Sequence, residues 1–162
     1  MPPWQGGGEM INRVNLQEST YKIGPARFEA GTPNIADTIA LGAAIQWLEK
    51  VGVENIAQRD HALTQYAMLR LAEIPGLKIL GPKKDRGALA AFTLEAAHPH
   101  DLATFVNTRG PALRGGHHCT QPVMKKFKIP GSNRASFYFY NTHEEIDRMI
   151  EILHEANQFF GA

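Results

Sequence analysis

The 162-residue chain is short of several things, and each shortage removes a class of function. A single cysteine, Cys119, excludes any disulfide within the chain and fits a reducing, cytoplasmic compartment. A formal net charge of +1 leaves no field to gather nucleic acid or an anionic membrane. The short basic run Lys125-Lys126-Phe127-Lys128 reads as a solvated helix end. No apolar stretch is long enough to span a bilayer. The first residues, Met1-Pro2-Pro3-Trp4-Gln5-Gly6-Gly7-Gly8, lack the basic and apolar regions of a signal peptide. His98, His100, His117, His118 and Cys119 invite a metal reading, but no C-x-x-C or H-x-x-x-H pair is present. No metal is expected.

What is present is ordinary globular composition, 43% hydrophobic and 20% charged, with enough chain for one domain. Residues 1–33 are rich in Gly and Pro and offer only short extended pieces, over 10–15 and 21–23. The Pro-Trp-triple-Gly start looks like a loop between two elements of something larger. From Asn34 the pattern turns regular. Asn34 is placed to cap a helix over 35–51, with Asp37 in its first turn. That segment is apolar nearly all round, which predicts a helix buried on most sides by more protein than these 162 residues supply; the chain alone is expected to expose a large apolar patch and to self-associate. A second helix is expected over 54–74, with Ile56, Leu63, Ala67 and Leu71 on one stripe. Strands are expected over 77–80, 88–94, 112–114 and 135–140, the last with aromatics on both faces. Shorter helices are expected over 101–108 and 122–127. Thr142 and Glu145 form a capping box for a last helix, lined by Ile146, Met149, Ile150 and Leu153. The order suggests a small α/β layer with a mixed or antiparallel sheet.

The chemistry concentrates around Arg114-Gly115-Gly116-His117-His118-Cys119-Thr120-Gln121-Pro122. Two glycines make this a loop, and one arginine and two histidines make it electropositive. Thr120 is placed to cap the following helix, and Pro122 suits its first turn. A thiol in such a setting tends toward the nucleophilic thiolate. A buried, inert cysteine would instead have apolar neighbours. Arg134, at a strand end, can present a guanidinium fork to a carboxylate. Taken alone, it reads first as half of a surface ion pair. Gly31-Thr32 just before a capped helix is a natural phosphate contact, and taken alone a weak signal.

Together these segments, with Met-Pro-Pro-Trp-Gln-Gly-Gly-Gly-Glu-Met-Ile, Arg-Phe-Glu-Ala-Gly-Thr-Pro-Asn, Arg-Ala-Ser and Tyr-Asn-Thr-His-Glu-Glu, closely resemble the SufS-like, group II cysteine desulfurases over the whole chain. The resemblance implies the small C-terminal α/β domain of a fold-type I, class V aminotransferase (34–162), preceded by a tail of the large domain with a dimer-crossing loop (1–33). It implies that Cys119 attacks the substrate sulfur and carries a persulfide. It implies that Arg134 binds the substrate carboxylate, with Arg114 in the same pocket and His117 and His118 in the loop beside it. Thr32 looks like the threonine that meets the pyridoxal phosphate of the other subunit of a homodimer. Sulfur would pass to a SufE- or SufU-like acceptor for Fe–S assembly. Gly115 departs from the family's usual Thr, Ser or Ala, and is expected to loosen the loop.

Pyridoxal phosphate chemistry needs a lysine bonded to the cofactor and an acidic partner for its ring nitrogen. The family's Ser-Gly-His-Lys stretch does not occur, and none of the eight lysines sits in that context. The chain alone is therefore expected to be inactive, whether as a fragment, a split subunit or a relic. A selenocysteine lyase shares these motifs. A non-catalytic interaction domain of the same fold is the alternative of another class.

Overall fold

A computed structural model describes every residue except Lys83 and Ala162. The chain divides into two compact units, Met1–Val51 and Gly52–Ala162.

In the first unit, β1 (Ile11–Val14) and β2 (Ser19–Tyr21) form a two-stranded antiparallel ribbon with an irregularity between Ile11 and Arg13. Met10 is its one fully buried hydrophobic residue among those described. A 3₁₀ turn, Pro25–Phe28, precedes α1 (Ile35–Val51). Asn34 starts α1 as the sequence suggests: its Oδ1 accepts from the Asp37 N–H at 3.2 Å. None of the residues of α1 is buried, so the helix is left without cover within its unit. The reason lies in its pattern. A helix apolar all round has no polar face to leave in water and needs cover on every side. Residues 1–51 hold only a short ribbon and a turn besides it.

The second unit carries the core. Its four-stranded sheet is antiparallel throughout, in the order β3 (Leu77–Leu80), β4 (Leu89–Leu94), β6 (Ser132–Ser136), β5 (Arg114–Gly116). β4 shows why a sheet forms: Ala90, Phe92 and Leu94 are buried at period two, toward the helices. Against them pack Leu63, Ala67 and Leu71 of α2 (Val53–Ala72), Leu102 and Val106 of α3 (Pro99–Asn107), and Ile146, Ile150 and Leu153 of α5 (His143–Phe160). The capping box of α5 is complete. The Glu145 N–H donates to Thr142 Oγ1 at 3.3 Å, and the Thr142 N–H donates to Glu145 Oε2 at 3.0 Å. Tyr66 of α2 donates to Asp147 of α5 at 2.7 Å, which ties the two long helices at their surface.

Two strands lie elsewhere than the sequence suggested. β5 begins at Arg114 rather than at Ala112, and β6 ends at Ser136 rather than at Tyr140. The aromatic run after β6 is drawn out of the sheet by Asn141, whose Oδ1 accepts from the Tyr138 N–H at 2.9 Å. The Asn141 N–H also donates to the Tyr138 carbonyl at 2.8 Å, closing a turn. Among the described residues, no helix is long and apolar enough to cross a membrane.

Candidate active site

β5 is an edge strand, and the chain leaves it through a tight turn into α4 (Gln121–Phe127). The Thr120 N–H donates to the His117 carbonyl at 2.9 Å, so residues 117–120 close a β-turn. Its two central residues, His118 and Cys119, have φ of 53° and 61°. Positive φ at both centres is the signature of a type I′ turn, which ordinarily takes Gly, Asn or Asp. For other residues the left-handed region costs roughly 1–2 kcal/mol each. Thr120 sits at the helix N-cap without capping it; its hydroxyl donates to the His117 carbonyl at 2.8 Å and braces the turn instead.

The result is an exposed thiol at the crest of the turn. Cys119 lines an open cleft of about 510 Å³ with Arg114, His117, His118, His100 and Gln121. Larger clefts lie beside α2 and between α5 and the 109–113 loop, but they contain no thiol.

Arg114 and Arg134 face each other directly across β5 and β6. Like charges in opposed positions repel, so this pairing is unfavourable unless something anionic joins it. Among the described residues, neither guanidinium forms an ion pair. The Nε of Arg134 is buried with no hydrogen-bond partner. The corner beside Cys119 is thus cationic and short of acceptors, which suits a carboxylate.

His118 is held differently from His117. Its Nε2 lies 3.0 Å from the Ser132 carbonyl, and only an N–H can satisfy a carbonyl, so the proton is on Nε2. Its Nδ1 is buried without a partner. Burial pushes the pKa of His118 below 6.5, and the charges of Arg134 and Arg114 push the same way against the bond to Ser132. His118 is neutral at neutral pH.

Two glycines set the floor of the loop. Gly115 was expected to loosen it; in the fold it is a point of close approach, since a Cβ there would run into the Pro99 carbonyl oxygen and meet Ala103 Cβ at 3.0 Å. That carbonyl is fixed in turn by the buried Asn133, whose Nδ2 donates to it at 2.8 Å. Gly116, at φ 127°, lies against Gly131, where a Cβ would meet the Gly116 carbonyl oxygen at 3.1 Å.

Of the residues singled out in the sequence, Cys119, Arg114, His117 and His118 share the cleft, and Arg134 stands opposite Arg114 on the neighbouring strand. Thr32 belongs to the other unit; it is exposed and follows Gly31, whose φ is 90°. His100 lines the cleft without having been assigned to it. The available signal was Pro99 at the helix start, which places His100 in the first turn of α3, beside the glycines of β5. His98 caps that helix, with Nδ1 accepting from the His100 N–H at 3.4 Å. Among the described residues, no three His, Cys, Asp or Glu side chains converge to hold a metal ion. No lysine lines the cleft.

Residues 1–149 match the model of the aminotransferase class-V family. A probable cysteine desulfurase of Streptomyces coelicolor is 47% identical over 163 residues, covering 99% of this chain and 39% of that protein. A probable cysteine desulfurase of Halalkalibacterium halodurans is 48% identical over 161 residues, with the same coverage. The chain therefore spans about 39% of the length of these curated relatives. Among solved structures, the cysteine desulfurase CsdA (S-sulfonic acid) of Escherichia coli superposes with a TM-score of 0.83 at 33% identity, covering 98% of this chain and 39% of that one. With a family match over nearly its whole length, an antiparallel sheet with helices and a cysteine-bearing cleft, the chain belongs to the class-V aminotransferases.

Proposed function

We propose that this chain carries the sulfur-accepting half of a pyridoxal-phosphate-dependent cysteine desulfurase site. The observation that carries the reading is the exposed Cys119 thiol in a cleft with Arg114, whose cross-strand partner is Arg134; among the described residues neither guanidinium has an ion-pair partner. A cysteine substrate has one group for each: a carboxylate for the cations and a sulfur for the thiol. The Arg134 fork takes the carboxylate, and Arg114 shares its charge. The thiolate of Cys119 attacks the substrate sulfur. A sulfur–sulfur bond forms and the substrate's carbon–sulfur bond breaks. Its electron pair stays on carbon, which takes up a proton. Cysteine and the Cys119 thiol thus become alanine and a Cys119 persulfide, with no external oxidant.

Pyridoxal phosphate, when bound, supplies the electron sink for this bond cleavage. From this chain, the exposed Thr32 hydroxyl suits a phosphate contact, across the interface of a homodimer. The cleft offers no lysine to bond the cofactor, so the rest of its site comes from other protein. The exposed position of Cys119 suits hand-over of sulfur to a SufE- or SufU-like acceptor for Fe–S assembly.

The test uses a full-length protein containing this segment. Cys119→Ser should abolish alanine formation from cysteine and the mass gain of one sulfur on residue 119. Arg134→Lys should raise the KM for cysteine strongly, since a point charge replaces a planar fork. Full turnover by Cys119→Ser would sink the reading. Faster turnover of selenocysteine, independent of Cys119, would move it to a selenocysteine lyase.

A further inference from the structure

The turn that presents Cys119 has the wrong residues for its shape. Type I′ centres favour Gly, Asn or Asp, yet here they are His118 and Cys119. Something outside the turn must offset the backbone cost. The Thr120 hydroxyl braces only the turn's own first carbonyl, at 2.8 Å. The glycine contact between Gly116 and Gly131 brings β5 close to the start of β6 but ends before the turn. Among the described residues, the side chain that hydrogen-bonds the turn centre to the rest of the fold is His118, through Nε2–H to the carbonyl of Ser132, 14 residues away. Ser132 is itself 1% exposed, and the next residue, Asn133, is anchored to Pro99. The acceptor is therefore a rigid point.

We propose that His118 is a positioning residue: its side chain latches the turn to the start of β6 and so holds Cys119 in the left-handed conformation that presents the thiol to the cleft. The inference rests on the reading of Cys119 as the nucleophile for its functional meaning, but not for its geometry. The latch uses Nε2 alone. Nδ1 is buried and has no hydrogen-bond partner among the described residues. A side chain with a donor at the reach of Nε2 should replace it. Glutamine has one. Neither alanine nor glutamine favours positive φ, so a difference between them reads the hydrogen bond and not backbone preference.

The experiment is NMR on the isotope-labelled 162-residue chain. Imidazole nitrogen shifts of His118 at neutral pH should report the Nε2–H tautomer; an Nδ1–H tautomer would overturn the proposal without any variant. The three-bond HN–Hα coupling and Cα shift of Cys119 should report a left-handed residue in the wild type and in His118→Gln, and lose that signature in His118→Ala. Retention of the left-handed signature in a folded His118→Ala, or its loss in a folded His118→Gln, would overturn the latch. Should His118→Ala not fold, the tautomer and His118→Gln decide. In a full-length holoenzyme, His118→Ala should lower kcat on the order of 100-fold, the scale of a displacement of about 1 Å at a reacting atom. KM for cysteine should be unchanged, and His118→Gln should recover most of kcat. Loss of KM alone would overturn a role at Cys119. If Cys119→Ser were fully active while the NMR signatures held, the desulfurase reading would fail and the latch would stand.

Discussion

Helices α1 and α5 are nearly equal in length, 17 and 18 residues, and opposite in design. α5 is amphipathic, with Ile146, Met149, Ile150, Ile152, Leu153 and Ala156 buried and acidic residues outside. α1 is apolar on nearly every side and buries nothing. Ile39 is 69% exposed and Trp47 55%. Hydrophobicity alone therefore does not predict burial. α5 succeeds because one face is apolar and the sheet offers one face to receive it. α1 would need cover on several sides, and large contiguous apolar patches are rare on the surfaces of monomers.

The sharpest way to test this contrast is to cut equal volume from each helix. Leu153→Ala, in the core of the 52–162 unit, should cost about 2–5 kcal/mol in urea unfolding. A loss under 1 kcal/mol would mean that α5 does not hold the unit together. A smaller effect is expected at the helix start. Thr142→Ala removes half of the capping box and should cost about 1 kcal/mol. The Asn141 side chain, and then the Thr142 N–H, hold the Glu145 carboxyl below its ordinary 4.5. Its contribution is therefore complete above about pH 4.5 and is lost as pH falls through the lowered value. Glu145→Gln should flatten that part of the stability-versus-pH curve, and an unchanged acid limb would count against it. The smallest effect belongs to α1. Ile39→Ala should change the stability of the 52–162 unit by no more than about 0.5 kcal/mol. The same change, combined with Trp47→Ala, should reduce self-association of the chain in sedimentation. Self-association left untouched would show that α1 is not the sticky surface.

Much of the second unit was legible in sequence. α2, β3, β4 and α5 lie within two residues of where periodicity and caps put them, because each is decided locally, by a 3.6 or 2 residue period and its end signals. The ends of β5 and β6 were not legible, since strand limits depend on a partner strand and on the Asn141 turn. Cys119 and its basic flanks could be picked out from composition, being adjacent in sequence. Their geometry could not.

The sequence by itself determined the order of the elements, the α5 cap, the amphipathic pattern of the core and the chemical character of the Cys119 loop. These follow from residues near one another in the chain, whose interactions need no fold to bring them together. Tertiary structure alone decided the rest. It set Arg114 opposite Arg134, 20 positions apart in the numbering but cross-strand neighbours. It packed Gly115 on the Pro99 carbonyl, and it gave His118 its bond to Ser132. The first pair is joined by the sheet register, the second by the packing of α3 on β5 and the third by the turn that follows β5; each is a relation between two elements, which neither element's sequence states alone.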